Sequence, residues 1–263
     1  MNLSEVINQQ IQFCLKEFSN YGKLIDTWGR VITPEHVSSY LINHSKLYEK
    51  IVHIIIKLLP ETKNTTIFEI GAAYGVTLLS LKQLGYNVNA SDLDECINIY
   101  CRHLLAHNIN VTPWNLHIED KPNTLGEYDI VISSEVIEHL MISSDSIIRK
   151  KSEILKPNGY MIITTPNLYR ISNIFKICKG DNIIEPFPDI AKFINNVIFD
   201  TRVHPRELTM KEIISSCKKN GLNIIYSHFY SNSSGYSINN ILYSLIPEFF
   251  LPTIFIVARK NQS

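Results

Sequence analysis

The chain has 263 residues, 45% hydrophobic and 19% charged, which is enough apolar mass for one large α/β domain with an embellishment and excludes a disordered chain. Lys+Arg and Asp+Glu both number 25, so no global basic field is available to attract nucleic acid. Five cysteines (Cys14, Cys96, Cys101, Cys178 and Cys217), odd in number and without a CxxC pair, read as reduced, mostly buried thiols of a cytoplasmic protein.

Residues 1–60 are predicted to be an N-terminal helical cap. Val6, Ile7, Ile11, Cys14 and Phe18 form an apolar stripe with no basic, signal-like start, Tyr21–Pro34 reads as a loop, and His36–Leu59 reads as a second helix ended by Pro60. Tyr21, Trp28 and Arg30 are the loop residues expected to face a pocket. From residue 61 to 263 strands and helices alternate, which predicts one doubly wound, mostly parallel sheet. Its expected elements are a strand at Thr66–Ile70, a helix from Val76, a strand ending at Asp92, a helix over Glu95–His107 and a strand over Val111–Ile118. They continue with strands at Tyr128–Ser134 and Tyr160–Thr165, a helix over Ser144–Leu155, a helix over Thr209–Asn220 opened by a Thr209/Glu212 capping box, and strands at Leu222–Phe229 and Thr253–Ala258. Residues 168–203 break this rhythm and are predicted to form a helical lid. The most apolar stretch, Ile238–Val257, is interrupted by Asn239, Asn240, Pro247, Glu248 and Pro252, so no membrane span is expected.

Two constellations carry chemistry. The first is EIGAAYG, Glu69–Gly75. Gly71 and Gly75 bracket a turn at which backbone can approach a ligand, and Asp92 follows at about the 20-residue distance where a carboxylate grips ribose hydroxyls. Ala73 occupies the middle position, so this is not the GxGxxG of a dehydrogenase, and no Gly-Lys-Ser/Thr follows to make a phosphate loop. Glu69, at the strand end, would repel a pyrophosphate and suits a cationic, amine-bearing ligand. The second is SSEVIEHL, Ser133–Leu140, at a strand tip where such sheets bind ligands. On a helix starting at Glu135, the side chains of Glu135, Glu138 and His139 would share a face at i, i+3 and i+4. Two carboxylates and an imidazole converging there call for a divalent cation, and an O/N set suits Mg, Mn, Fe or Zn, with His204 of VHPREL as a fourth ligand.

EIGAAYG resembles the first motif, D/E-x-G-x-G-x-G, of class I S-adenosylmethionine-dependent methyltransferases. Tyr128-Asp129, LKPNGYMIITTPN and the final strand pair extend the likeness over roughly Thr65 to Lys260. The resemblance implies a seven-stranded Rossmann-like methyltransferase fold and S-adenosyl-L-methionine as cofactor. It implies cofactor contacts from Glu69, Gly71, Ala73, Gly75 and Asp92, with Leu93 beside the adenine and Glu119, Asp120 or Asn115 near its amino group. E-x-x-E-H with a later histidine is similar to the ubiquinone-biosynthesis O-methyltransferases and to the metal-dependent small-RNA ribose 2′-O-methyltransferases. From these come a metal set of Glu135, Glu138, His139 and His204, and catalytic roles for His139, Glu138 and Glu135.

The residues also admit His139 as a metal-free general base, or as a packing residue. The expected activity is O-methylation of a small-molecule or sugar-like acceptor, such as a glycan or nucleotide-sugar precursor. Ribose 2′-O-methylation of RNA is the rival enzyme reading, against which the neutral charge counts. A non-catalytic cofactor-binding scaffold is the rival from another class, and the joint presence of Glu69, Asp92 and the EVIEH cluster counts against that.

Overall fold

The structure, a computed structural model, describes residues 2–22, 24–25, 31–184, 204–231, 243 and 245–262. Helix α1, Leu3–Asn20, is capped by the Asn2 side chain and buries the anticipated stripe of Val6, Ile7, Ile11, Cys14 and Phe18. The predicted loop after it contains a two-residue antiparallel pair, β1 (Leu24–Ile25) with β2 (Val31–Ile32). Trp28 and Arg30 lie outside the described residues, and Tyr21 is the C-cap of α1. Helix α2, Pro34–Leu58, starts two residues earlier than predicted because Thr33 caps it and Pro34 suits its first position.

The core elements follow: β3 (Thr66–Ile70), α3 (Val76–Gln83), β4 (Asn87–Asp92), α4 (Asp94–Tyr100), α5 (Arg102–Ala106), β5 (Asn110–Pro113) and β6 (Tyr128–Ser134). Then come α6 (Ser144–Ser152), β7 (Leu155–Pro166), α7 (Ile171–Cys178), α8 (Met210–Lys219), β8 (Leu222–Tyr230) and β9 (Thr253–Lys260). Seven strands form one sheet in the order β5-β4-β3-β6-β7-β9-β8. β3 pairs in parallel with β4 and β4 with β5, while β9 runs antiparallel to both β7 and β8. This is the doubly wound, mostly parallel sheet that the alternation predicted, and it ends in the antiparallel strand pair that the resemblance implied.

Three expectations need correction. The helix expected over Glu95–His107 is two helices, because Cys101 leaves helical geometry (φ −107°, ψ 5°). The strand expected to reach Ile118 stops at Pro113, which has no N–H for the ladder. No α-helix begins at Glu135. That residue has φ +54°, and only a single 3₁₀ turn, Ile137–His139, follows β6. Of the segment expected to form a lid, the structure describes helix α7, and residues 185–203 lie outside the described residues. Among the described residues no helix is long and apolar enough to cross a membrane.

The chain divides into two compact units. One is built chiefly on Met1–Asn115 and Tyr128–Ile132, the other on Leu116–Glu127, Ser133–Ser231 and the C-terminal stretch. In the first, α1, α2 and α3 pack on one another, and Asp129 fixes the start of β3 by accepting from Thr66 N and Oγ1, each at 2.8 Å. In the second, α8 packs on α6 and β8, its Thr209/Glu212 capping box formed as predicted.

Candidate functional site

The turn after β3 is left-handed at three positions, Gly71 (φ 76°), Ala73 (φ 44°) and Gly75 (φ 65°). At Gly71 and Gly75 the missing Cβ removes the penalty of that conformation, and a Cβ on Gly75 would in addition strike the Leu104 side chain. Ala73 bears the strain, and its neighbours hold it there. Its N–H donates to Asp92 Oδ2 at 2.9 Å, and its carbonyl accepts from the Cys101 thiol at 3.4 Å. Gly71 N and Ala72 N both donate to Ser91 O, at 2.8 and 3.2 Å, which ties the corner to β4. Tyr74 O accepts from His103 Nε2 at 2.8 Å and from the Cys14 thiol at 3.4 Å. The kink at Cys101 is thus explained, since it lets that thiol reach the corner.

Glu69 and Asp92 flank this turn. Glu69 is buried, and its Oε2 has no hydrogen-bond partner. Burial, with a smaller contribution from the Asp92 charge, pushes its carboxyl up to about 8. Asp92 Oδ1 accepts from Leu93 N at 2.8 Å, yet burial still outweighs its two backbone hydrogen bonds and raises it to about 6. An orphaned buried carboxylate is costly unless a cation arrives, so the residues fit an amine-bearing ligand on the Glu69 side. Binding such a ligand at pH 7 should release a proton from Glu69, with affinity rising as pH climbs from 6 towards 8. Calorimetry in buffers of different ionisation heat measures that release directly, and zero release would remove Glu69 from the amine site.

Around the same corner lies an aromatic tier that the sequence reading missed. Tyr74 packs on Phe18 (5.0 Å), Tyr40 (5.4 Å) and Tyr100 (5.4 Å), and Tyr40 stacks on His44 at 4.2 Å. The helical spacing of Tyr40, His44 and Tyr48 along α2 was the available signal. Their partners are set by tertiary packing and were not.

The second constellation forms without the expected helix. The left-handed backbone at Glu135 sends its N–H to Thr164 O (3.0 Å) and its Oε1 to Thr164 Oγ1 (3.0 Å). Glu138 is buried. Its Oε2 accepts from Thr165 Oγ1 at 2.9 Å, while its Oε1 has no hydrogen-bond partner and lies 3.9 Å from His139 Nε2. The rings of His139 and His204 meet edge-on at 4.7 Å, and donor atoms of Glu138, His139 and His204 lie within 4.8 Å of one another. Glu135 is not in that three-residue group. Burial, and for Glu135 next the Glu138 charge, pushes both carboxyls well up from the ordinary range. An unpartnered buried carboxylate oxygen beside two imidazoles fits a divalent cation bound by hard and borderline donors.

Two further charged residues, missed in the sequence, support this cluster. Lys151 is fully buried and donates to Ser133 Oγ at 2.5 Å. Burial lowers its ammonium to about 7 against the opposing pull of Glu138. Glu207 is held below the ordinary carboxylate range. Burial works to raise it, and contacts with His204, Arg170 and Asn173 outweigh that. Of the candidates near the adenine amino group, the Glu119 carbonyl accepts from Lys150 Nζ, and Asp120 is exposed, 3.9 Å from the same ammonium.

Comparison with known proteins follows the same lines. Residues 43–227 match the family described as a methyltransferase domain. The chain is 28% identical over 202 residues to a ubiquinone biosynthesis O-methyltransferase of Hydrogenovibrio crunogenus, covering 74% of this chain and 80% of that one. It is 26% identical over 215 residues to the protein of that name in Rickettsia prowazekii, covering 78% and 83%. In fold it is similar to magnesium protoporphyrin IX methyltransferase from Synechocystis PCC 6803 with bound SAH (TM-score 0.57, 14% identity, 86% of this chain and 87% of that one). With the family match spanning well over half of its length, the chain belongs to the methyltransferase-domain family and is a class I S-adenosylmethionine-dependent methyltransferase.

Proposed function

We propose that the chain methylates an oxygen of a small acceptor bearing two adjacent oxygens, sugar-like or phenolic, with a divalent cation held by Glu138, His139 and His204 and assisted by Glu135. The observation that carries this reading is the convergence of three donor atoms within 4.8 Å around a buried carboxylate oxygen that lacks a partner. The names of the relatives support oxygen as the atom methylated. When bound, the cofactor supplies an electrophilic methyl group and the cation a Lewis acid that acidifies and orients a hydroxyl.

The chain's own residues do the rest. Asp92 accepts the ribose hydroxyls and Glu69 takes the cationic amine, while the Gly71–Gly75 corner brings backbone close to the nucleoside. Leu93 lies beside the adenine. Thr165 fixes one oxygen of Glu138 and leaves the other beside His139, and Thr164 fixes one oxygen of Glu135. Methyl transfer asks little more of a protein than holding the acceptor oxygen in line with the methyl group. Should the cation be absent in solution, His139, whose Nε2 lies 3.9 Å from Glu138 Oε1, is the side chain to take the acceptor proton.

The test is methyl transfer to catechols, sugar diols and short RNAs with and without chelator. Chelation is expected to lower turnover at least about 100-fold, with recovery on adding Mn²⁺ or Mg²⁺ and with cofactor affinity unchanged. Full activity after exhaustive chelation would assign His139 as a base instead. Activity confined to RNA would overturn the acceptor class.

A further inference from the structure

Glu207 stands three residues after His204, in the segment leading into α8, and is buried. Its Oε1 lies 2.6 Å from Arg170 Nη2 and 3.6 Å from His204 Nδ1, and its Oε2 accepts from Asn173 Nδ2 at 2.6 Å. Arg170 is the N-cap residue of α7. Asn173 sits in the first turn of that helix, is buried, and also donates to Leu168 O at 3.0 Å. Backbone bonding joins the two segments as well, since Leu168 N donates to Leu208 O at 3.2 Å. With a guanidinium on one oxygen and an amide on the other, the carboxylate has little freedom to turn. Its Oε1 is therefore a fixed acceptor facing one nitrogen of His204.

A neutral imidazole carries one N–H and one lone pair, and the partner of one nitrogen decides which is which. We propose that Glu207 is a positioning residue: it holds the Nδ1–H tautomer of His204 and so turns the Nε2 lone pair towards the cation shared with Glu138 and His139, while Arg170 and Asn173 hold the carboxylate in place. Its ion-directed part rests on the metal reading above. The part concerning the tautomer does not. A carboxylate behind a ligating histidine fixes ring orientation and raises donor strength, and removing such a partner lowers metal affinity about 10- to 100-fold. The arrangement also joins the start of α7 to the histidine through Arg170, so the described part of the expected lid and the donor cluster share one carboxylate.

The test uses the full chain with Glu207→Gln, which keeps the shape and removes the charge, and Glu207→Asp, which keeps the charge and draws it back from His204. Mn²⁺ affinity is read by electron paramagnetic resonance, and the His204 tautomer by nitrogen-15 and carbon-13 shifts of the metal-free protein. The expected result is an Nδ1–H tautomer in the wild type that is lost or mixed in Glu207→Gln. Mn²⁺ should bind about 10-fold or more weakly in both variants, with S-adenosylmethionine affinity within twofold of the wild type. A carboxylate that only tied α7 to the α8 segment would leave the tautomer unmoved. Identical tautomer populations and Mn²⁺ affinities in all three proteins would overturn the proposal. A wild type that binds no Mn²⁺ would sink the metal reading and the ion-directed part with it, and the tautomer shift would then decide Glu207's hold on His204 alone.

Discussion

Asp92→Ala is expected to weaken S-adenosylmethionine and its demethylated product about 100-fold, measured by calorimetry. Two hydrogen bonds from ribose hydroxyls to a carboxylate contribute roughly 1.5–3 kcal/mol each, and about 3 kcal/mol is two decades in affinity. The loss has a second source in this chain. Asp92 Oδ2 is also the acceptor that holds Ala73 N at φ 44°, and its Oδ1 holds Leu93 N. Removing it frees a strained alanine to relax and the corner to widen. Asp92→Asn does not repair this, because both backbone partners are donors and an amide offers only one acceptor oxygen. It should therefore bind about 10-fold more weakly than the wild type. A control is built into the pair of carboxylates. The Asp92 charge is a secondary cause of the raised Glu69 carboxyl, so the pH midpoint of binding should move down from about 8 in Asp92→Ala. Unchanged affinity, or a midpoint that does not move, would remove Asp92 from the ribose site.

The corner was legible in the sequence because its chemistry is local. Glu69, the two glycines and Asp92 lie within one strand–turn–helix–strand unit whose geometry the chain can fix without distant partners. The alternation of elements gave the sheet for the same reason, and the Thr209/Glu212 capping box was readable from its spacing. The donor cluster was legible as a set of residue types and misread as geometry. A left-handed glutamate at Glu135 has no marker in composition, and what stabilises it, the Thr164 carbonyl and hydroxyl, comes from β7, some thirty residues on. Lys151 and Glu207 were missed because a buried charge reads in sequence like any surface charge. Only the fold shows that each faces a specific partner. The break at Cys101 belongs to the same class, since the reason for it is a carbonyl at Ala73.

Glu138→Gln is expected to lower turnover about 1000-fold with little change in cofactor affinity, the size of effect seen when a positioned acid–base or metal-holding group is lost. The same substitution should make the ligand-free protein more stable at high pH, and the sign can be worked out. The folded-state carboxyl of Glu138 lies above its ordinary value, so its contribution to stability is complete below the ordinary glutamate range and is lost as pH rises through the raised value. Glutamine does not titrate and escapes that loss. Lys151 does not reverse this comparison. Burial lowers its ammonium to about 7, and at pH 5 Glu138 is protonated and exerts no charge on it, so the wild type and the variant bear a similar cost for the lysine there. Melting curves for the two proteins should therefore converge near pH 5 and separate as pH rises, with the variant more stable at pH 8 to 9. If Glu138 holds a divalent cation as proposed, that ion should raise the wild-type melting temperature at pH 8 and leave that of the variant nearly unmoved, because it would supply the counter-charge that the buried carboxylate otherwise lacks. Parallel melting curves from pH 5 to 9, or a variant with wild-type turnover, would show that Glu138 is neither a strained buried acid nor part of the chemistry.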